Sequence, residues 1–238
     1  MNIKEFAAMK GIVLNGIKYK DNQDIVYLYT DLKGRKSFIL NRKKKSNRLF
    51  PLSIIEFEPS GRQTLELQYL KDFSFSPVLP EIFSDIRKST IAMFIGEFLY
   101  KVLKAEEPDN ALFEYIQNSI CMLDVLDEGV ANFHLYFMVQ LCKYMGFSIL
   151  PNRNAYDYFD IKSGKFVFIE PLHPQFFNKE NTAIFSELIE LPNDSLNQLK
   201  ISGEQRLSFA NSMIDFYSYR FDHAMHLKSL YILHEIFL

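Results

Sequence analysis

GIVLNGIKYKDNQDIVYLYTDLKGRKSFILN, residues 11–41, decides the fold. Three strands can be read in it. Residues 11–19 make the first, and Lys20, Asp21, Asn22 and Gln23 form a polar turn after it. Residues 24–30 make the second. In an extended chain its Ile25, Tyr27 and Tyr29 share one face, and Val26 and Leu28 share the other. A turn over 31–34 ends in Gly34, which can take positive φ without a steric penalty. Residues 35–41 make the third strand, with Phe38, Ile39 and Leu40 as β-prone side chains. Working outward, 52–58 alternates Ile55 and Phe57 against Glu56 and Glu58. After a Pro59, Ser60, Gly61 turn, 64–71 sets Leu65, Leu67 and Tyr69 against Glu66 and Gln68. Five short strands with closely spaced turns predict a small closed β-structure, and an OB-fold barrel is the five-stranded candidate.

The third strand begins the most basic part of the chain. Residues 33–48 hold eight cations (Lys33, Arg35, Lys36, Arg42, Lys43, Lys44, Lys45 and Arg48) and no carboxylate. The whole chain has 27 Lys+Arg against 29 Asp+Glu, so without this stretch 19 basic residues would face 29 acidic ones. Residues 42–48 contain no apolar side chain and therefore read as a solvated loop. A basic loop leaving a strand suits a phosphate backbone, through charge neutralisation and counterion release. Charge runs also occur simply as solvated faces. Tyr27 and Tyr29 are candidate rings for base stacking; closing the β-core or meeting a helix is the competing use.

From Pro80 the apolar period changes from two to about 3.6, the helical value. Ile82, Phe83 and Ile86 begin a stripe, and 91–103 is apolar on most faces, as in a buried central helix. Asp109 is a candidate N-cap for a helix running to about 128. A further helix starts at Gly129 and stops at Gly146. Residues 156–161 and 165–169 flank Lys162, Ser163 and Gly164 as a β-hairpin. Helices resume over 182–191, after Ser202, and over 226–237. The expected architecture is α+β in two domains: a β-barrel over 1–79, then a helical domain over 80–238 with a hairpin inserted near 156–170. The first holds 14 basic and 8 acidic residues, the second 13 and 21. Such a split points to a nucleic-acid-facing half.

Composition bounds the rest. Hydrophobic residues make up 48% and charged ones 24%, ordinary for a soluble globular protein. The run 91–103 is interrupted by Gly96, Glu97 and Lys101 and is too short to span a bilayer, so no membrane role is expected. The N-terminus lacks the apolar core of a signal peptide. Cys121 and Cys142 sit in helical patterns and form neither a disulfide framework nor a cysteine zinc site. A cytoplasmic chain, without cofactor or metal, is expected. No Walker-type loop and no His-Glu-x-x-His occurs, so no catalytic residue is expected. His223 and His226 are one helical turn apart, with His234 near in sequence, but nothing completes a ligand set. His173 reads as a loop residue. Asp124, Asp127 and Glu128 read as a solvated helix end.

The order of these features resembles the RecO family of bacterial recombination mediators. The resemblance rests on Gly11, Ile12, Val13 and Leu14 in the first strand, the strand ending at Thr30, and the Gly34, Arg35 turn. It continues through the basic segment, Pro51 and Leu52 before an acidic-tipped strand, YFDIKSGKFV at 158–167, and LKSLYILHEIF at 227–237. It spans the whole chain. Many members carry a four-cysteine zinc site around the hairpin. No cysteine follows Cys142 here, so zinc is expected to be absent and packing to replace it. The resemblance implies an OB-fold followed by a helical domain. It implies a nucleoid-associated protein that binds single- and double-stranded DNA and anneals complementary strands. With RecR as a partner it would help load RecA onto strands coated by single-stranded-DNA-binding protein, whose acidic C-terminal tail it would bind. For that tail, Lys143 and Arg153 could rim a socket lined by Phe147 and Leu150, with Arg87 and Lys88 as rivals. An RNA- or ribosome-associated OB module is the alternative, and an enzyme with an unrecognised site a weaker third.

Overall fold

In a computed structural model of the chain, residues 8–41, 49–58, 67–104, 107–147 and 149–238 are described. The chain divides into two compact units, Met1–Asp124 and Val125–Leu238.

In the first unit the period-two pattern becomes an antiparallel meander, β1 (Met9–Lys20), β2 (Gln23–Thr30) and β3 (Gly34–Asn41), with Gly34 at φ 59 in the turn. β4 (Ile54–Phe57) pairs with the other edge of β1. β5 (Gln68–Leu70) runs parallel to β3. The order β5-β3-β2-β1-β4 is that of an OB-fold, curled into a half-barrel. A sixth strand, β6 (Phe73–Phe75), adds to β4. Its three residues are too few to carry a period and are not expected as a strand from the sequence.

The two faces of the sheet divide the apolar residues. Met9, Val13, Val26, Leu28, Phe38, Leu40, Ile55 and Phe57 form the barrel core. Ile12, Leu14 and Ile54 are equally buried, so β1 is covered on both faces; this accounts for its unbroken Ile12, Val13, Leu14 run.

Helix α2 (Ile86–Val102) packs against β1. A Cβ on its Gly96 would lie 2.8 Å from the Leu14 carbonyl oxygen and 2.8 Å from Pro51 Cβ. The glycine inside the apolar run is therefore the point of closest approach. Before it, α1 (Pro80–Ser84) ends at Asp85, whose carboxylate caps α2 by accepting from the Arg87 amide at 2.8 Å. That break resets the helical phase. Ile82 is buried, but Phe83 and Ile86 of the expected stripe are 39% and 65% exposed. α3 (Asn110–Val125) starts as expected, Asp109 accepting from the Leu112 amide at 2.9 Å. Asp124 corrects the solvated reading of its end. It is buried, its carboxylate accepts from the Ile82 amide at 2.9 Å, and its carbonyl accepts from Lys88 Nζ at 2.6 Å. Asp127 and Glu128 are exposed.

The second unit opens with a 3-10 turn, Val130–Asn132, and α4 (Phe133–Tyr144), stopped by Gly146 at φ 76. β7 (Tyr158–Asp160) and β8 (Lys165–Val167) form the expected hairpin. β9 (Phe176–Phe177), two residues long and unforeseen, pairs with the outer side of β7. α5 (Lys179–Glu190) and α6 (Gly203–Arg220) follow, the latter with a Ser202/Gln205 capping box. α7 (Ser229–Ile236) begins later than expected, so His223 and His226 lie in irregular chain rather than on one helix face. The core of this unit is aromatic. The Phe159 ring lies 4.8 Å from Phe185, 5.3 Å from Phe177 and 6.1 Å from Phe216. These rings clamp the three short strands onto α5 and α6. His173 Nε2 lies 3.3 Å from Asp160 Oδ1. Among the described residues no cluster of three His, Cys, Asp or Glu could hold a metal, and no helix is long and apolar enough to cross a membrane.

Candidate nucleic-acid interface

The β2–β3 turn is built tightly. Thr30 Oγ1 donates to the Gly34 carbonyl at 2.9 Å and accepts from the Lys33 amide at 3.1 Å. This fixes where β3 starts and hence which way its cations project. Arg35 stands opposite Tyr29 and Lys36 opposite Leu28. Lys33 and Lys36 are half-buried. β3 ends at the exposed Asn41, and the expected phosphate contacts Arg42, Lys43, Lys44, Lys45 and Arg48 lie outside the described residues.

Arg35 departs from the expected role. Its Nη1 donates to the carbonyls of Tyr100 at 3.1 Å and Leu103 at 3.0 Å, at the C-terminal end of α2. Its guanidinium lies 4.3 Å from the Tyr100 ring centroid and 5.4 Å from that of Tyr27. A cation there meets the negative end of the helix dipole and two π-faces. Arg35 is thereby engaged in joining β3 to α2 instead of standing free for a phosphate.

Both expected stacking rings face the helices as well. Tyr29 is 2% exposed and its ring stacks on Phe113 at 6.2 Å. Burial chiefly, and then the Asp109 carboxylate, push its phenol up to about 12. Tyr27 packs edge-on to Tyr100 at 4.8 Å, and burial raises its pKa. In this arrangement Tyr29 has no open face for a base, and half-buried Tyr27 is engaged by Tyr100 and Arg35. Period two assigns both residues to one face of β2, but the sequence does not say that α2 and α3 cover it.

Chain re-entry after the basic segment places an aromatic outward. Leu52 adopts φ 64, its amide donating to the Val13 carbonyl at 2.8 Å, while the Val13 amide donates to Ser53 at 2.9 Å. The Ser53 amide donates to the Phe50 carbonyl at 3.0 Å. This turn ties 50–53 to β1 and leaves Phe50 half exposed.

The expected tail socket in the second unit is only partly assembled. Lys143 is exposed and its Nζ donates to Gln140 Oε1 at 2.6 Å; Arg153 is also exposed. Phe147 packs edge-on to Phe216 at 5.6 Å and Phe221 at 5.7 Å, with the Arg220 guanidinium 5.9 Å from its ring. Leu150 is 75% exposed. Of the rivals, Arg87 is paired with Asp85 at 2.6 Å, and Lys88 is buried against the end of α3 and cannot rim a socket. Cys142 is buried and its thiol is pushed up to about 12. Burial and the nearby Arg206 hold His134 down at about 3.

The family model described as "Recombination protein O C terminal" matches residues 83–230. A protein of Bacteroides fragilis named DNA repair protein RecO is 35% identical, covering 95% of this chain and 97% of its own length. Others of that name are 34% identical in Phocaeicola vulgatus, over 95% and 97%, and 31% in Azobacteroides pseudotrichonymphae, over 96% and 98%. With an OB-fold leading into a helical second half, and matches running nearly end to end, this chain belongs to the RecO family of DNA repair proteins.

Proposed function

We propose that this protein is a non-enzymatic, DNA-binding recombination mediator. It binds single- and double-stranded DNA, anneals complementary strands and, with RecR, helps load RecA onto strands coated by single-stranded-DNA-binding protein. The observation that carries the reading is the coincidence of family membership with the 33–48 basic segment leaving an OB strand. The division of labour follows the charge: the β-structure of 1–79 takes the phosphates, and the acidic 80–238 takes protein partners. Arg42, Lys43, Lys44, Lys45 and Arg48, with Lys33 and Lys36 beside them, neutralise phosphates without reading sequence. The acidic tail of single-stranded-DNA-binding protein docks near Lys143 and Arg153, with Leu150 as the exposed apolar contact. The protein works in the cytoplasm, at the nucleoid, without metal or cofactor.

Joint replacement of Arg42, Lys43, Lys44, Lys45 and Arg48 by Ala tests the phosphate contacts. Affinity should fall alike for all sequences, and the slope of log affinity against log salt should flatten by about 0.7 per lost contact on single strands. An unchanged slope contradicts the assignment. For the tail, K143E with R153E should abolish binding of a labelled tail peptide and spare bare-DNA binding; full peptide affinity in that variant removes this location.

A further inference from the structure

Three partly exposed phenylalanines of the first unit gather at one place. Phe50 in the turn before β4, Phe75 at the end of β6 and Phe83 in α1 line an apolar groove of about 390 Å³, with Pro77, Val78 and Pro80 beside them. Phe50, Phe75, Phe83 and Val78 are 50%, 39%, 39% and 73% exposed. The Phe50 and Phe83 rings touch, with centroids 5.4 Å apart and planes 38° apart. A cluster of aromatic surface left in water is unfavourable, and its concentration in a concave site marks a binding surface.

Among the described residues, no charged side chain lines the groove. In the sequence, Arg48 stands two positions before Phe50, at the end of the basic stretch 33–48. The fitting occupant therefore combines flat apolar faces with closely spaced negative charges. Unpaired nucleic acid has both, one π-face and one phosphate per nucleotide. A duplex keeps its base faces stacked inside, and an acidic peptide lacks the regular series of flat faces.

We infer that the groove lined by Phe50, Phe75 and Phe83 is where unpaired bases of single-stranded DNA stack, in place of Tyr27 and Tyr29. The inference rests on the DNA-binding reading and deepens it, by separating a base platform from the phosphate contacts.

Titration of the full chain with oligothymidylate and with an abasic oligonucleotide of equal length tests it. The unaltered protein should prefer oligothymidylate by about tenfold or more. Phe50→Ala with Phe83→Ala should erase that preference and leave the salt slope unchanged. Phe50→Trp with Phe83→Trp should keep it, and thermal melting of both variants reports whether the fold is retained. Equal binding of the two strands by the unaltered protein, with a normal salt slope, overturns the groove assignment and leaves DNA binding standing. Failure to bind either strand at low salt overturns both. A preference that survives the alanine pair, with loss of an acidic apolar-ended peptide instead, assigns the groove to a peptide and overturns the inference.

Discussion

Two aromatic regions of the first unit lie on either side of β1 in the sheet order, and they do opposite things. On β2, Tyr27 and Tyr29 meet Tyr100 and Phe113 and receive Arg35 between strand and helix. Next to β4, Phe50 meets Phe83, Phe75 meets Phe73, and Phe50, Phe75 and Phe83 line a groove. The residue types alone favour the tyrosines for ligand contact, because they combine a ring with a hydroxyl and neighbour basic residues. Helical cover decides otherwise. Once α2 and α3 lie on that face of the sheet, Tyr29 and Arg35 are held in structural contacts, and the groove is lined by neither helix.

The sharpest way to break this comparison is to truncate one ring of each region. Tyr29→Ala should cost about 3 kcal/mol, as for a large buried aromatic, while Phe83→Ala should cost less than about 1 kcal/mol. Chemical denaturation of the two variants measures the difference; equal losses would mean that the regions are not distinct. Arg35→Ala comes next, at about 2 kcal/mol for two charge-assisted hydrogen bonds to helix-end carbonyls. Its salt slope for DNA should stay that of the unaltered protein. A flattened slope with unchanged stability would return Arg35 to the phosphate contacts.

A smaller effect sharpens the same point through pH. The phenol of Tyr29 titrates near 10 in an unfolded chain and at about 12 here, so the fold favours the neutral form. Its contribution is fully present below pH 10 and is lost as pH rises from 10 to 12. Tyr29→Phe should therefore lose less stability than the unaltered chain over that window; parallel losses contradict burial of the phenol. The smallest effect expected is none. Chelator should leave the melting temperature unchanged, because the hairpin strands are held by Phe159, Phe177, Phe185 and Phe216. Stoichiometric zinc in the purified protein would contradict that.

Much of this architecture is legible in the sequence wherever local chemistry decides it. Alternation marks β2, short β-prone runs between polar turns mark β1 and β3, Asp109 and Ser202 mark helix starts, and Gly34 and Gly146 mark positive-φ turns. What is not legible depends on partners distant in the chain. The two- and three-residue strands β9 and β6 are too short for a period and exist only through pairing with β7 and β4. Asp124 looks like a surface carboxylate until α1 brings the Ile82 amide to it. Phe83 and Ile86 look like core until Asp85 restarts the helix and turns them outward. The groove is hidden for the same reason, since its walls come from two segments separate in the chain, 50–54 and 75–83.

Annealing of complementary strands coated with the cognate single-stranded-DNA-binding protein tests the central claim most directly. The account predicts that the unaltered protein accelerates annealing without consuming a nucleotide cofactor, and that the variant with Arg42, Lys43, Lys44, Lys45 and Arg48 replaced by Ala does not. Annealing of the coated strands at the same rate with and without the unaltered protein would contradict it.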